Sequence, residues 1–92
     1  MGKLYVSEYV SSHFNCAIEP AASNQVITYS GSVQSTPFTN ATSFVRVHTD
    51  AICSIKFGAN PTATTSDERM AANTTEYFSV QAGHKIAAIA NS

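Results

Sequence analysis

The side chains best suited to covalent or metal chemistry in this sequence are two cysteines, Cys16 and Cys53, and three histidines. Cys53 lies in a run of alternating apolar residues, where a cysteine most often serves as a small buried hydrophobic group. A disulfide with Cys16 would need an oxidising compartment, and no export signal is recognised. A nucleophilic cysteine would need a neighbouring base or cation, as in a small enzyme that brought Cys53 and His48 into one accessible pocket. The sequence favours a buried thiol at Cys53.

The histidines, His13, His48 and His84, are spread over three separate segments. Neither the ligand spacings of zinc sites nor a His-Glu-x-x-His helix is present, so we expect no metal and no cofactor. His48 is close to Asp50, and in an extended chain it shares a face with Arg46. We expect these three side chains to form a solvated or hydrogen-bonded network. A contact between subunits and a ligand or catalytic role are the alternatives.

The remaining polar and aromatic groups are typical of surfaces and contacts. The run Asp67-Glu68-Arg69 is expected to be solvated, with a salt bridge to a neighbouring subunit as the alternative. The glycines are isolated, so no phosphate-binding loop is predicted. Tyr5, Tyr9 and Tyr77 are of a type that usually packs in a core or an interface of a sheet, although they could also stack on sugars. No signal is specific to a catalyst, and we predict that the domain is not an enzyme.

Length and composition limit the classes of function. Ninety-two residues make one domain, and a chain of this size buries roughly 60–65% of the surface that its unfolded form exposes. Only 12% of the residues are charged and the net charge is −1, so binding to nucleic acid through phosphate neutralisation is not expected. No run approaches the roughly 20 apolar residues that span a bilayer, and no signal peptide is recognised. We expect synthesis in a cytoplasm and no membrane partner.

Residues 43–57 form the segment around which the remaining elements are predicted. Successive side chains of an extended chain point to opposite faces, and this alternation fits residues 44–48 and 52–57 better than a helical stripe does. Val45 and Val47 share one face of the first run, and Cys53 and Ile55 share one face of the second. Thr49 and Asp50 lie between the two runs. We therefore predict a β-hairpin with a tight polar turn, although the Asn-Gly or Asp-Gly signal is absent.

Further alternating runs predict a β-rich domain. Glu8, in the first run, is expected to protect a sheet edge. Phe38 is expected to pack into the core, and residues 11–24 are expected to be a loop or an extended arm. We predict one all-β domain over residues 1–92, a small antiparallel β-sandwich or barrel of jelly-roll-like type with six to seven short strands. The other predicted strands are residues 4–10, 25–30, 70–72, 76–81 and 85–90.

Three segments of the chain carry a resemblance to a known family. They read Phe44-Val-Arg-Val-His-Thr-Asp-Ala-Ile-Cys-Ser-Ile-Lys-Phe-Gly-Ala-Asn-Pro-Thr-Ala-Thr, Arg69-Met-Ala-Ala-Asn-Thr-Thr-Glu-Tyr-Phe-Ser-Val and Gly83-His-Lys-Ile-Ala-Ala-Ile. These segments are similar to small virion structural proteins of tailed bacteriophages and prophages, which resemble capsid decoration (cement) proteins. The resemblance covers residues 38–90, and before it only the opening Lys3-Leu-Tyr-Val-Ser-Glu-Tyr is alike.

The resemblance implies a structural role in a virion and supplies no catalytic motif. The expected function is a decoration protein that binds the outer surface of the capsid and stabilises the head. Its expected partners are the major capsid protein and copies of itself, as a dimer or trimer. The alternative is a receptor- or carbohydrate-binding module of a tail or fibre, which would use tyrosines and the loop around residues 58–65. The candidate interface residues are Tyr5, Tyr9, Phe38, Arg46, His48, Arg69 and Tyr77.

Overall fold

A computed structural model describes residues 2–11 and 17–91, and these residues form eight β-strands and no helix. The predicted all-β class is confirmed, with eight strands rather than six or seven. Strand β8 has the bounds that were predicted, and the others differ by one or more residues. The strands are β1 (Gly2–Ser11), β2 (Ala17–Tyr29), β3 (Val33–Gln34), β4 (Phe44–Thr49), β5 (Cys53–Gly58), β6 (Glu68–Met70), β7 (Thr74–Ser79) and β8 (Lys85–Ala90).

The strands form two four-stranded antiparallel sheets, so the fold is a sandwich and not a closed barrel. One sheet has the order β2-β1-β4-β7, and the other has the order β3-β8-β5-β6. Within a sheet, sequence neighbours pair only as β1–β2 and β5–β6, and every other connection crosses between the sheets. This alternation is of the jelly-roll type. In the common jelly-roll order the last strand of the chain pairs beside the first strand of the roll. Here β1 occupies that position, between β2 and β4.

The predicted hairpin of residues 43–57 is wrong, although its two strands exist. Strand β4 pairs with β1 and β7, whereas β5 pairs with β8 and β6. The intervening residues 50–52 cross from one sheet to the other. Backbone hydrogen bonds hold this crossing in place: Asp50 N–H donates to Lys3 O at 3.1 Å, and Asn91 N–H donates to Ile52 O at 3.2 Å. A tight turn between paired strands is therefore replaced by a crossing that hydrogen bonds to two other segments support.

The predicted arm at residues 11–24 is largely a strand. Residues 17–24 belong to β2, which pairs antiparallel with β1 and forms an edge of its sheet. Residues 12–16 lie outside the described residues. Pro20 is compatible with β2 because a proline, which has no N–H, is tolerated on an edge strand. The small residues that indicated a loop therefore form the longest strand of the described chain.

Glu8 does not protect a sheet edge, because β1 lies in the interior of its sheet between β2 and β4. The side chain of Glu8 points into the sandwich and is 1% exposed. Its Oε1 accepts hydrogen bonds from Thr39 N–H at 2.9 Å and from the Thr42 hydroxyl at 2.7 Å. Its Oε2 has no hydrogen-bond partner. Glu8 thus holds the connection between β3 and β4 against the end of the sandwich.

The core lies between the two sheets and is formed by alternate residues of six strands. Val45, Val47, Cys53 and Ile55 all face it, as their alternation predicted. Phe38 is 2% exposed, so its predicted role in the core is confirmed. Cys53 is a buried free thiol, also as predicted. The other members of the core are Leu4, Val6, Ile27, Tyr29, Met70, Ile86 and Ala88.

A polar cluster closes the end of the core near the start of β1. The Tyr29 hydroxyl is buried, 2.8 Å from Thr49 Oγ1, and it donates to the carbonyl oxygen of Ala51 at 3.0 Å. Gly2 leaves room for this ring: a Cβ there would lie 2.5 Å from the Tyr29 hydroxyl oxygen. The cluster therefore joins the end of β2 to the crossing between β4 and β5.

We expect Gly2→Ala to lower the free energy of unfolding by about 1–3 kcal/mol, because the added methyl group displaces the Tyr29 ring from its two partners. Gly31→Ala is the matched control, since a Cβ at Gly31 meets no atom within 4 Å. Urea unfolding of both variants measures the difference. Equal stability of the two variants would contradict the close packing at Gly2.

Alkaline pH is expected to weaken the fold through Tyr29. Burial raises the pKa of its hydroxyl above the usual 10.0; the hydrogen bond with Thr49 opposes this rise, and Cys53 and Asp50 add to it. The unfolded chain therefore loses this proton at a lower pH than the folded chain does. The stability linked to the proton is fully present below the unfolded pKa and is lost as pH rises through the folded pKa.

Tyr29→Phe removes this titration together with the hydroxyl's hydrogen bonds. At pH 8 we expect the variant to be less stable than wild type by about 1 kcal/mol. The deficit should shrink above pH 10, because only the wild-type fold is penalised by ionisation of Tyr29. Denaturant unfolding of both proteins at pH 8 and at about pH 11 makes the comparison. A deficit that stays constant with pH would show that Tyr29 does not contribute to the alkaline response.

The outer face of the sheet β3-β8-β5-β6 is covered by the chain itself. Residues 59–67, which connect β5 to β6, contact side chains on this face. Gln34 donates to Pro61 O at 2.7 Å, and Asn91 donates to Ser54 Oγ at 2.8 Å and to Thr65 O at 3.3 Å. Ser54 and Ala87 point away from the core and are nevertheless 0% exposed. This face therefore has little apolar surface left for a partner.

Candidate interaction surface

The outer face of the other sheet, β2-β1-β4-β7, carries exposed aromatic side chains. Alternation along three strands places every second residue on this face, opposite to the core positions Val6 and Val47. We call the outward-facing residues of β1, β4 and β7 the aromatic face. It includes Lys3, Tyr5, Ser7, Tyr9, Phe44, Arg46, His48, Thr75, Tyr77 and Ser79.

The strand register brings the aromatic rings into contact across the sheet. Tyr9 is opposite Phe44, and their rings stack with centroids 5.5 Å apart and an interplanar angle of 23°. Phe44 also contacts Tyr77, with ring centroids 6.3 Å apart. Tyr5 is opposite His48 on the same face, with ring centroids 6.1 Å apart. The rings thus form a row over β1, β4 and β7, with a second ring pair beside it.

Tyr5 and Tyr77 are exposed although they are large, whereas Tyr9 and Phe44 are half-buried. Tyr77 is 62% exposed, and Val26, which is opposite Tyr5 on the neighbouring β2, is 56% exposed. On the other sheet, Val33 at the edge is the comparable exposed residue. Contiguous exposed apolar surface of this kind marks interaction sites more often than single exposed residues do. The two outer faces of the sandwich therefore differ, and the aromatic face is the candidate interaction surface.

The aromatic face also carries polar and charged groups, among them Arg46 and His48. His48 Nδ1 is 2.9 Å from the hydroxyl of Thr75, and its Nε2 is 3.9 Å from Asp50 Oδ1. Arg46 is opposite Ser7 and Tyr77 on the two neighbouring strands. In the described part of the chain, its guanidinium has no hydrogen bond and no ion pair. The predicted network of Arg46, His48 and Asp50 therefore forms only between His48 and Asp50.

Two shallow grooves lie on or beside this face. One has a volume of about 440 Å³ and is lined by Tyr5, Ser7, Arg46, His48 and Asp50. The other, of about 750 Å³, places Phe44 and Tyr77 beside serine hydroxyl groups. Its lining residues are Ser11, Ala17, Ser43, Phe44, Tyr77, Phe78 and Ser79. Open, partly apolar grooves of this shape suit contact with a surface or a chain rather than enclosure of a small substrate.

The structure brings together five of the seven predicted interface residues, namely Tyr5, Tyr9, Arg46, His48 and Tyr77. The other two lie elsewhere, and for Phe38 the prediction of an interface role is wrong. Phe38 packs in the core against Phe57, with ring centroids 6.3 Å apart, and is not available to a partner. Arg69 lies on β6 opposite Ser54, on the outer side of the other sheet. Phe44 was not among the predicted interface residues, although it alternates in step with Arg46 and His48.

The candidate catalytic pair does not meet. Cys53 is in the core, whereas His48 lies on the outer face of the opposite sheet. Across residues 2–11 and 17–91, no three side chains of His, Cys, Asp or Glu come together as a metal site. In the described part of the chain, no helix is long and apolar enough to cross a membrane. Comparison with known proteins finds no match among protein-family models, curated protein sequences or solved structures.

Proposed function

We propose that this protein is a non-enzymatic structural protein of a bacteriophage virion. In this proposal it binds the outer surface of the capsid through the aromatic face and stabilises the head, with the major capsid protein as its partner. The observation that carries the proposal of an adhesive role is the difference between the two outer faces, one covered by residues 59–67 and the other lined with exposed rings. The phage setting depends on the sequence resemblance described above.

The physical features of the domain suit adhesion. Attachment to a shell requires a rigid, complementary surface and no reactive group, and many weak contacts repeated over a lattice add up to stable binding. Two of its three strands, β1 and β4, lie in the interior of the sheet, so the rings that they carry are held in a fixed arrangement. Tyrosine and arginine are the residue types that contribute most often to the energy of protein interfaces.

Self-association as a dimer or trimer is part of the proposal, and the free sheet edges are the surfaces that support it. Strand β2 is an edge of 13 residues, whereas the other edge strands, β7, β6 and β3, have 6, 3 and 2 residues. An edge strand presents unpaired backbone N–H and C=O groups to a second strand. Pairing along β2 would leave the aromatic face of each copy free for the shell.

Deletion of the gene and purification of the resulting particles tests the function. We expect wild-type heads to contain the protein in a regular copy number on their outer surface. Heads without it should be less resistant to heat and osmotic shock. Unchanged particle composition together with unchanged resistance would overturn the proposal.

A second candidate function is binding to a receptor carbohydrate from a tail or fibre. It is favoured by the groove in which Phe44 and Tyr77 lie beside the hydroxyl groups of Ser43 and Ser79, because aromatic rings and hydroxyl groups together suit a sugar. A glycan array tests it, with Tyr77→Ala as the comparison. Binding that is lost in Tyr77→Ala, together with cryo-imaging of the protein at the tail tip, would favour this function over capsid decoration.

A further inference from the structure

We infer that the aromatic face docks on a carboxylate-rich patch of the shell protein, and that Arg46 is the residue that pairs with a carboxylate there. This inference rests on the proposed function and names the chemistry of the partner surface. It follows from three properties of the face: the missing partner of Arg46, the charge balance around it, and the position of Arg46 at the middle of the sheet.

Arg46 is the half-buried cation of this face, and no acidic side chain of the described chain satisfies it. Asp50, the acidic group nearest in the groove, is 3.9 Å from His48 Nε2 and forms no ion pair with Arg46. An arginine presents its N–H groups as a planar fork that matches a carboxylate with two parallel hydrogen bonds. Aromatic neighbours on both sides would exclude water from such a pair when a partner covers the face, and this exclusion strengthens the attraction.

The charge of the face is opposite in sign to that of the whole chain. Lys3 and Arg46 point outward from the two interior strands, and Asp50 is the acidic residue beside them. Two cations and one carboxylate leave this face with a charge of +1 when His48 is neutral, whereas the chain as a whole carries −1. Charge complementarity between surfaces favours an acidic partner.

A second copy of the face is a poor occupant. In a two-fold symmetric contact each surface meets itself, so residues near the centre approach their own counterparts. Arg46 lies on β4, in the interior of the sheet, and its guanidinium would approach a second Arg46 without a carboxylate between them. Nucleic acid is also a poor occupant, because its binding depends on neutralising several phosphates. The cationic side chains of this face are only Lys3 and Arg46.

Binding of charge variants to heads purified from the deletion strain tests the inference. Arg46→Glu is expected to weaken binding by about 30-fold or more, since the carboxylate of the shell would then face a like charge. Arg46→Lys should show an intermediate loss, because it keeps the charge but not the fork. Arg69→Glu is the matched control, with the same change in net charge on the opposite side of the sandwich, and is expected to bind within about twofold of wild type.

Circular dichroism and thermal unfolding establish that each variant is folded, and Arg46→Gln replaces Arg46→Glu if the latter is not. Wild-type binding should also fall as sodium chloride is raised, with a weaker salt dependence in Arg46→Gln. Binding by wild type that Arg46→Glu leaves intact overturns this inference alone. Absence of wild-type binding overturns the proposed function as well. Binding that disappears when the heads are treated with nuclease places nucleic acid at the face and overturns the inference.

Discussion

Glu8→Ala is expected to lower the free energy of unfolding by about 2–4 kcal/mol. The substitution removes the acceptor for Thr39 N–H and the Thr42 hydroxyl, and it leaves a cavity at a position that is 1% exposed. Each buried donor without a partner costs about 1–3 kcal/mol. One contribution acts in the opposite direction, because Glu8 Oε2 already lacks a hydrogen-bond partner and its removal relieves that cost. Two lost hydrogen bonds and a cavity outweigh one relieved oxygen.

Two further variants separate these terms. Glu8→Gln keeps an acceptor oxygen for Thr39 and Thr42 and should cost about 1 kcal/mol. Glu76→Ala is the matched control on the same sheet, because Glu76 is exposed and has no hydrogen bond or ion pair in the described chain; its effect should be within about 0.5 kcal/mol. Guanidinium unfolding followed by circular dichroism measures all three. Stability of Glu8→Ala equal to or above that of wild type would show that the unpaired buried oxygen costs more than the two hydrogen bonds contribute.

The case of Glu8 shows where inference from the sequence stops. Alternation correctly placed Glu8 on the same face as Leu4 and Val6, but a charged residue in a first strand indicated a sheet edge. Its actual neighbours, Thr39 and Thr42, lie more than thirty positions along the chain. Burial of a carboxyl group is possible only where distant donors meet it, and no local pattern carries that information.

Residues 43–57 show the same limit at the level of topology. The period of two fixed both strands and the faces of Val45, Val47, Cys53 and Ile55, because alternation is a local property of an extended chain. The strand that pairs with each of them is determined by contacts between residues far apart in the sequence. The prediction of a tight turn paired the two strands with each other because they are adjacent in the sequence. The absence of Asn-Gly or Asp-Gly was the available signal against a hairpin.

The aromatic face was predicted only in part, because alternation within a strand is local whereas the order of the strands is not. Arg46 and His48 could be placed together because they alternate on one strand, and Phe44 belongs to that series. Tyr5, Tyr9 and Tyr77 could be recognised as candidates for contact from their type. Their convergence depends on β1 and β7 flanking β4, which requires strand order. Arg69 was also predicted as an interface residue, because nothing in its local sequence shows on which of the two sheets it lies.

The double substitution Tyr5→Ala/Tyr77→Ala is expected to weaken binding to purified heads by about 100-fold or more, because well-packed interface aromatics each contribute about 2 kcal/mol or more. The two tyrosines are 37% and 62% exposed, so the fold should remain intact. Val33→Ala is the control, because Val33 is as exposed as Tyr5 and lies on β3 of the other sheet.

Sedimentation of heads with each variant, combined with thermal unfolding of the free proteins, measures binding and folding separately. Wild-type affinity in Val33→Ala and a large loss in the double variant would assign the contact to the aromatic face. A double variant that unfolds at the wild-type temperature and still decorates heads would exclude that face from the contact. If Val33→Ala weakened binding as much as the double variant does, the contact would extend to the edge of the other sheet. Val33 and Tyr5 are equally exposed but lie on different sheets.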